Sequence, residues 1–165
     1  MRTLLGALGA YNAVVPNVAV ILEDDANRIA AMQACVVDVL SGVEAVFFEN
    51  AQLMIAWLRE HLADAVLISL DHDLPLRNDE GCKIDCGTGR QVADYLALLP
   101  PTCPVIIHSS NNDGAQGMFF ALKNAGWPCS RVYPCDGEAW IGGAWTENLR
   151  RLIADGWVSG ANHQT

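Results

Sequence analysis

Five short apolar runs, each followed by a stretch of helical period, constrain this chain more than any other feature of its sequence. The first run is Val18-Ala19-Val20-Ile21-Leu22, closed by Glu23-Asp24-Asp25. A helical segment follows from about Asn27 to Leu40 and stops at Ser41-Gly42, a turn signal. The second run is Val43 to Phe48, and the segment after it puts Met54, Trp57 or Leu58, and His61 or Leu62 on one face. The third run, Val66 to Leu70, ends abruptly in Asp71-His72-Asp73-Leu74-Pro75. A long irregular stretch leads to Thr88, a candidate cap for a helix carrying Val92, Leu96 and Leu99, which Pro100-Pro101 ends. The fourth run, Val105-Ile106-Ile107, meets His108-Ser109-Ser110-Asn111, and Met118, Ala121, Leu122 and Ala125 then stack at helical spacing. A weaker fifth run, Ser130 to Tyr133, meets Pro134, and a last helix aligns Trp145, Leu149, Leu152 and Ile153.

Strands that alternate with helices pair in parallel, because each crossover helix packs on the sheet and returns the chain to the same edge. Right-handed crossovers then give an α/β fold, a doubly wound five-stranded parallel sheet between two helical layers. A chain of 165 residues suits one such domain. We assign residues 17–158 to it, with an N-terminal extension over 1–16 and a C-terminal tail over 159–165. In such sheets the polar residues just past the carboxyl ends of the strands form the site.

Charge narrows the partners. The net charge is -9, from 19 acidic and 10 basic residues, which excludes a broad nucleic-acid surface. It leaves room for a pocket acting on a single phosphate where a bound cation offsets the local carboxylates. No run reaches the ~18 apolar residues of a membrane span. The N-terminal run passes into Tyr11-Asn12 with a weak basic start, unlike a signal peptide, so the six cysteines are expected as thiols in a cytoplasmic protein.

If the first and third strands are neighbours, Glu23, Asp24, Asp25, Asp71 and Asp73 converge at one edge. Clustered carboxylates repel and must protonate, separate or share a cation. A hard divalent ion such as Mg2+ meets that need, with Asp24, Asp25, Asp71 and Asp73 as its candidate ligands. The competing account is that some of these acids only cap the following helices, Asp25 above all. At the fourth strand's end, Ser109, Ser110 and Asn111 are candidate phosphate binders at a helix N-terminus, a place equally suited to plain capping.

These residues together resemble the receiver domains of two-component response regulators, from about Val18 to Ile153. The resemblance implies a flavodoxin-like sheet of order 2-1-3-4-5. It places Asp24-Asp25 as the metal-binding acidic pair, Asp71 as the phosphoacceptor position with Pro75 four residues on, and Asp73 where a backbone carbonyl completes the metal shell. Ser109 matches the Ser/Thr after strand four, and Gly89 the glycine that opens the third helix. Receivers end strand five in Lys-Pro, where this chain has Tyr133-Pro134. It adds His72 and His108 beside matched positions and an insertion over 76–88. That variant pattern resembles the cyclic-phosphate processing receiver domains, which implies action on cyclic phosphates of nucleotides or RNA ends.

Opening a cyclic phosphodiester needs a cation or donors for the phosphate oxygens, a base for water and an acid for the leaving hydroxyl. Asp71, His72, His108 and Ser109 are the candidate catalytic residues on that reading. Strict alternation warns that His72 points away from Asp71. Two other accounts stay open: an atypical receiver phosphorylated on Asp71, and a non-catalytic receiver that binds a protein partner. A haloacid-dehalogenase-like pairing of Asp71 with Asp73 conflicts with the strand that precedes it and ends in Asp24-Asp25. Cys82 and Cys86 form a lone C-x3-C in the insertion, weak as a zinc or disulfide signal. Trp140, Trp145 and Trp157 read as helix packing rather than a stacking platform for bases, and the glycines around Trp140 leave open an exposed loop able to close over a substrate.

Overall fold

A computed structural model describes residues 16–74, 85–135 and 137–156. Five parallel strands form one sheet in the order β2-β1-β3-β4-β5. They are β1 (Val18–Leu22), β2 (Glu44–Phe48), β3 (Ala65–Leu70), β4 (Val105–His108) and β5 (Cys129–Val132). The helices between and after them are α1 (Ala26–Val39), α2 (Ala51–His61), α3 (Gly89–Leu96), α4 (Asn112–Asn124) and α5 (Thr146–Ala154). Most of the extension (1–15), residues 75–84 with Pro75 and Cys82, Trp157 and the tail lie outside the described residues.

Strand alternation sorts the core into two clusters. On one face Val20, Leu22, Ile68, Leu70 and Ile107 pack against Met54 and Leu58 of α2, Val92 and Leu96 of α3, and Met118 and Leu122 of α4. On the other, Ala19, Ile21, Leu67 and Ile106 meet Met32 and Val36 of α1 and Trp145, Leu149 and Leu152 near α5. β1 and β3 are buried at every position, which is why their sequences run apolar rather than alternate.

Three helices take their N-caps from the strand ends. Asp25 Oδ1 accepts the Asn27 and Arg28 amides at 2.9 and 3.0 Å. Asn50 accepts from the Leu53 amide at 3.0 Å, and Asn111 from the Gly114 amide at 2.9 Å. Each cap satisfies amides that the first helical turn leaves unpaired. The positive ends of α1, α2 and α4 therefore gather at the carboxyl edge of the sheet.

One sequence expectation changes here. His108 belongs to β4 itself rather than to the loop beyond it, so the strand's alternation sends its side chain inward. Trp140 is 3 % exposed and packed, not a loop-tip residue, as its reading as a packing residue expects, and its ring stacks on His108 with centroids 5.7 Å apart. It enters a π-helical turn, Ile141–Trp145, whose Gly143 leaves helical backbone geometry, and the chain folds inward there.

Gly89 sets the distance between α3 and the end of β3. A Cβ at this position would lie 1.9 Å from the Asp71 carbonyl oxygen, and backbone cannot yield as a flexible side chain can. The Gly89 amide also donates to the His72 carbonyl at 3.0 Å. Gly89→Ala should therefore destabilise the fold by roughly 3 kcal/mol, at the upper end for overpacked sites. Urea denaturation measures this; a loss below about 0.5 kcal/mol would mean that α3 is free to move away.

Candidate functional site: an acidic mouth braced from below

Register builds the site. Leu22 pairs with Leu70, and Leu70 with Ile107, so the next row holds Glu23, Asp71 and His108 side by side. Period-two alternation points all three to the α1/α5 face. Glu23, Asp24 and Asp71 each present an oxygen within 4.8 Å of the others. Glu23 is fully buried and Asp71 5 % exposed, while Asp24 is half-buried at the opening.

Glu23 is committed on one oxygen. Its Oε1 accepts the amides of Asp24 and Asp25 at 3.1 and 3.0 Å, which fixes the turn from β1 into α1. Its Oε2 lies 3.3 Å from His108 Nε2, a close contact bent away from ideal hydrogen-bond alignment, with neither atom finding another partner. Arg28, on the first turn of α1, places Nη1 3.6 Å from Glu23 Oε1 and 3.5 Å from Asp71 Oδ2. It supplies positive charge at a site where Tyr133, not a lysine, follows strand β5.

The three carboxyls respond differently. Burial works to raise Glu23, but the His108 ring, the Asp25 amide and Arg28 outweigh it and hold it below the ordinary carboxylate value. Asp71 is raised, chiefly by burial and also by Glu23, against the Ser109 hydroxyl and the His72 amide. Asp24 is pushed up to about 6 by burial and by the charges of Glu23 and Asp71. A cation among them would oppose the upward shifts of Asp24 and Asp71, because opposite charge favours the ionised form.

The donor set fits a hard divalent ion: clustered carboxylate oxygens, one at the opening, with charge still uncompensated. Asp24 lies at the opening and Asp71 beside it, whereas Glu23 is fully buried with Oε1 held by the Asp24 and Asp25 amides, so Asp24 and Asp71 are the better placed of the three. Asp25 does not join them. Its Oδ1 is spent on the α1 cap, so the converging acids are Glu23 and Asp24 rather than the Asp24-Asp25 pair expected from the sequence. Asp73 also turns elsewhere, with its Oδ1 2.6 Å from His72 Nδ1 and 3.2 Å from Asn111 Nδ2.

The remaining candidates divide by depth. Ser109 is buried beside Asp71, and its Oγ accepts the Asn111 amide at 3.2 Å. Ser110 is exposed, and Asn111 is occupied in capping α4 and in holding Asp73. His72 turns away from Asp71, as alternation requires, and its ring lies so close to α4 that a Cβ on Gly114 would be 2.5 Å from it. His108 is fully buried and does not reach the mouth. Arg28 is the residue that sequence reading missed; its place three residues after the capping Asp25, on the helix's first turn, was the available signal.

Over residues 18–124 the chain matches the family described as the cyclic-phosphate processing receiver domain, well over half of its length. The chain belongs to that family. Its fold is that of response-regulator receivers. The phosphorylated cyanobacterial phytochrome response regulator RcpA is 18 % identical, with a TM-score of 0.61 over 87 % of this chain and 94 % of that one. The Mn2+-bound form of response regulator Rcp1 is 15 % identical, with a TM-score of 0.59 over 87 % and 96 % of the two chains. A CheY-like receiver from Methanospirillum hungatei is also 15 % identical, with a TM-score of 0.56 over 84 % and 98 %. No curated protein matches the chain. Among the described residues no helix is long and apolar enough to cross a membrane.

Asp24 makes the mouth sensitive to pH. Between its ordinary value of 3.8 and about 6, the folded chain keeps a proton that the unfolded chain has lost. Without metal, this group's contribution to stability falls as pH rises through that window. Asp24→Asn should thus stabilise the metal-free protein at pH 7 by on the order of 1 kcal/mol, allowing for solvent screening. It should also flatten the pH dependence of the urea midpoint across that window. A destabilised variant would contradict the crowding described here.

Proposed function

We propose that this protein is a divalent-cation-dependent phosphoester-processing enzyme on a receiver-like fold, acting on the cyclic phosphate of a nucleotide or an RNA end. The observation that carries the reading is the convergence of Glu23, Asp24 and Asp71 within 4.8 Å at the carboxyl edge of the sheet. Membership of the family directs it toward cyclic phosphates. On this reading Asp24 and Asp71 hold Mg2+ or a similar ion, with the Asp73 backbone as a further candidate ligand. The ion when bound would neutralise the phosphate oxygens and the charge that develops on the departing one.

The chain's own groups would do the rest. Ser109, with the first amides of α4, orients a phosphate oxygen beside Asp71. The acidic side chain of Asp73 meets Nδ1 of His72 and leaves the ring's Nε2 free to exchange a proton. Hydrolysis forms one bond from phosphorus to the oxygen of water and breaks one ring P–O ester bond. The proton lost by water returns to the released hydroxyl. Arg28 balances negative charge at the mouth without leaving α1.

A second reading rests on Asp71 standing at the end of β3 with Ser109 beside it, the arrangement of a phosphoacceptor. One set of assays separates the two. With Mg2+ or Mn2+, 2′,3′-cyclic nucleotides should be opened, and Asp71→Asn and Asp24→Asn should each lower turnover at least a hundredfold. Stoichiometric labelling of Asp71 by acetyl phosphate, with every cyclic phosphate left intact, would replace the enzyme by a signalling receiver. Metal binding without either reaction would favour a module that binds a protein partner.

A further inference from the structure

The buried polar groups beneath the mouth form a line, hydrogen-bonded except at the 3.3 Å contact between His108 Nε2 and Glu23 Oε2, that the proposed chemistry does not use. Trp145 Nε1 donates to Ser69 Oγ at 3.0 Å, and that oxygen lies 2.8 Å from His108 Nδ1. The other ring nitrogen of His108 faces Glu23 Oε2 at 3.3 Å. Glu23 Oε1 then holds the Asp24 and Asp25 amides and approaches Arg28, whose guanidinium also reaches Asp71. Ser69, His108, Glu23 and Trp145 are all fully buried, so water cannot substitute for a missing partner.

Donor and acceptor counting gives the line a direction. Indole N–H is a donor only, so Ser69 Oγ must accept from Trp145. The Ser69 hydroxyl proton then needs an acceptor of its own, and His108 Nδ1 is the polar atom within reach. A proton on Nδ1 would leave that hydroxyl with nowhere to donate. The ring proton therefore belongs on Nε2, facing the Glu23 carboxylate. Trp140 stacks across the ring and fixes its plane.

We propose that His108 is a positioning residue: fixed by Ser69 and Trp145, it carries its proton on Nε2 and holds Glu23 so that Asp24 and Asp71 are set for a cation. This rests on the reading of the mouth as a cation site, and gives His108 no part in proton exchange with substrate. It also joins the mouth to the π-helical turn before α5, because Trp145 belongs to that turn. Coupling of this kind is reciprocal: whatever shifts Trp145 shifts cation affinity, and the cation shifts Trp145.

The test uses the full-length chain and Mn2+ alone, followed by electron paramagnetic resonance, with no substrate present. His108→Ala should weaken Mn2+ binding at least tenfold. His108→Gln, whose amide can donate to Glu23 but cannot exchange a proton near neutrality, should stay within about threefold of wild type. Trp145→Phe, which deletes the indole N–H and little else, should weaken binding by about threefold. Wild-type affinity in His108→Ala, or a loss in folded His108→Gln as deep as in the alanine variant, overturns the proposal. Nitrogen-15 spectra of the wild-type histidines guard against a variant that does not fold: His108 should show the Nε2–H tautomer, and an Nδ1–H ring overturns the line. If wild type binds no Mn2+, the cation reading falls, while the tautomer still decides whether the buried line exists as described.

Discussion

Everything at the carboxyl edge of this sheet follows from placing Glu23 and Asp71 in the same row, one on β1 and one on β3. Parallel register leaves them no means of separating, and burial removes the solvent that would screen them. The fold answers with His108 beneath Glu23, Arg28 beside both acids, and a turn of amides around Glu23 Oε1. What remains uncompensated is pushed outward onto Asp24, the most accessible of the three. The acidic character of the mouth is thus a property of the sheet's register as much as of its side chains.

The two histidines illustrate how neighbouring placements take different roles. His72 follows a strand end, lies against α4 and is held by Asp73 and Asn111, so it keeps a route to solvent. His108 is the last residue of a strand and is enclosed between Ser69, Glu23 and Trp140. Burial makes each polar contact of that ring costly to lose, because no water is there to replace it.

The sheet order and the alternation of strands with helices were legible because apolar runs and helical periods are local signals, and right-handed crossovers leave few topologies. The position of the site was legible for the same reason, through the acids after β1 and β3. Its internal assignment was not. Asp24 and Asp25 look equivalent in sequence, and only the cap geometry of α1 removes Asp25 and brings in Glu23. The inward turn of His108 depends on β4 extending one residue further than its apolar run. The packing of Trp140 was legible only against its flanking glycines, which suggest a loop but belong to a π-helical turn packed on the sheet.

The origin of the compensating cation has a consequence for how such a site can diverge. Arg28 lies in the same short stretch as Glu23, Asp24 and the capping Asp25, so both signs of charge are written into one loop and the first turn of one helix. Replacing a single arginine there would change the electrostatic balance of the mouth while every strand and crossover stayed in place. Tyr133, the residue after β5, is exposed. The site is modular in sequence although it is assembled from three strands in space, which allows its chemistry to drift faster than its fold.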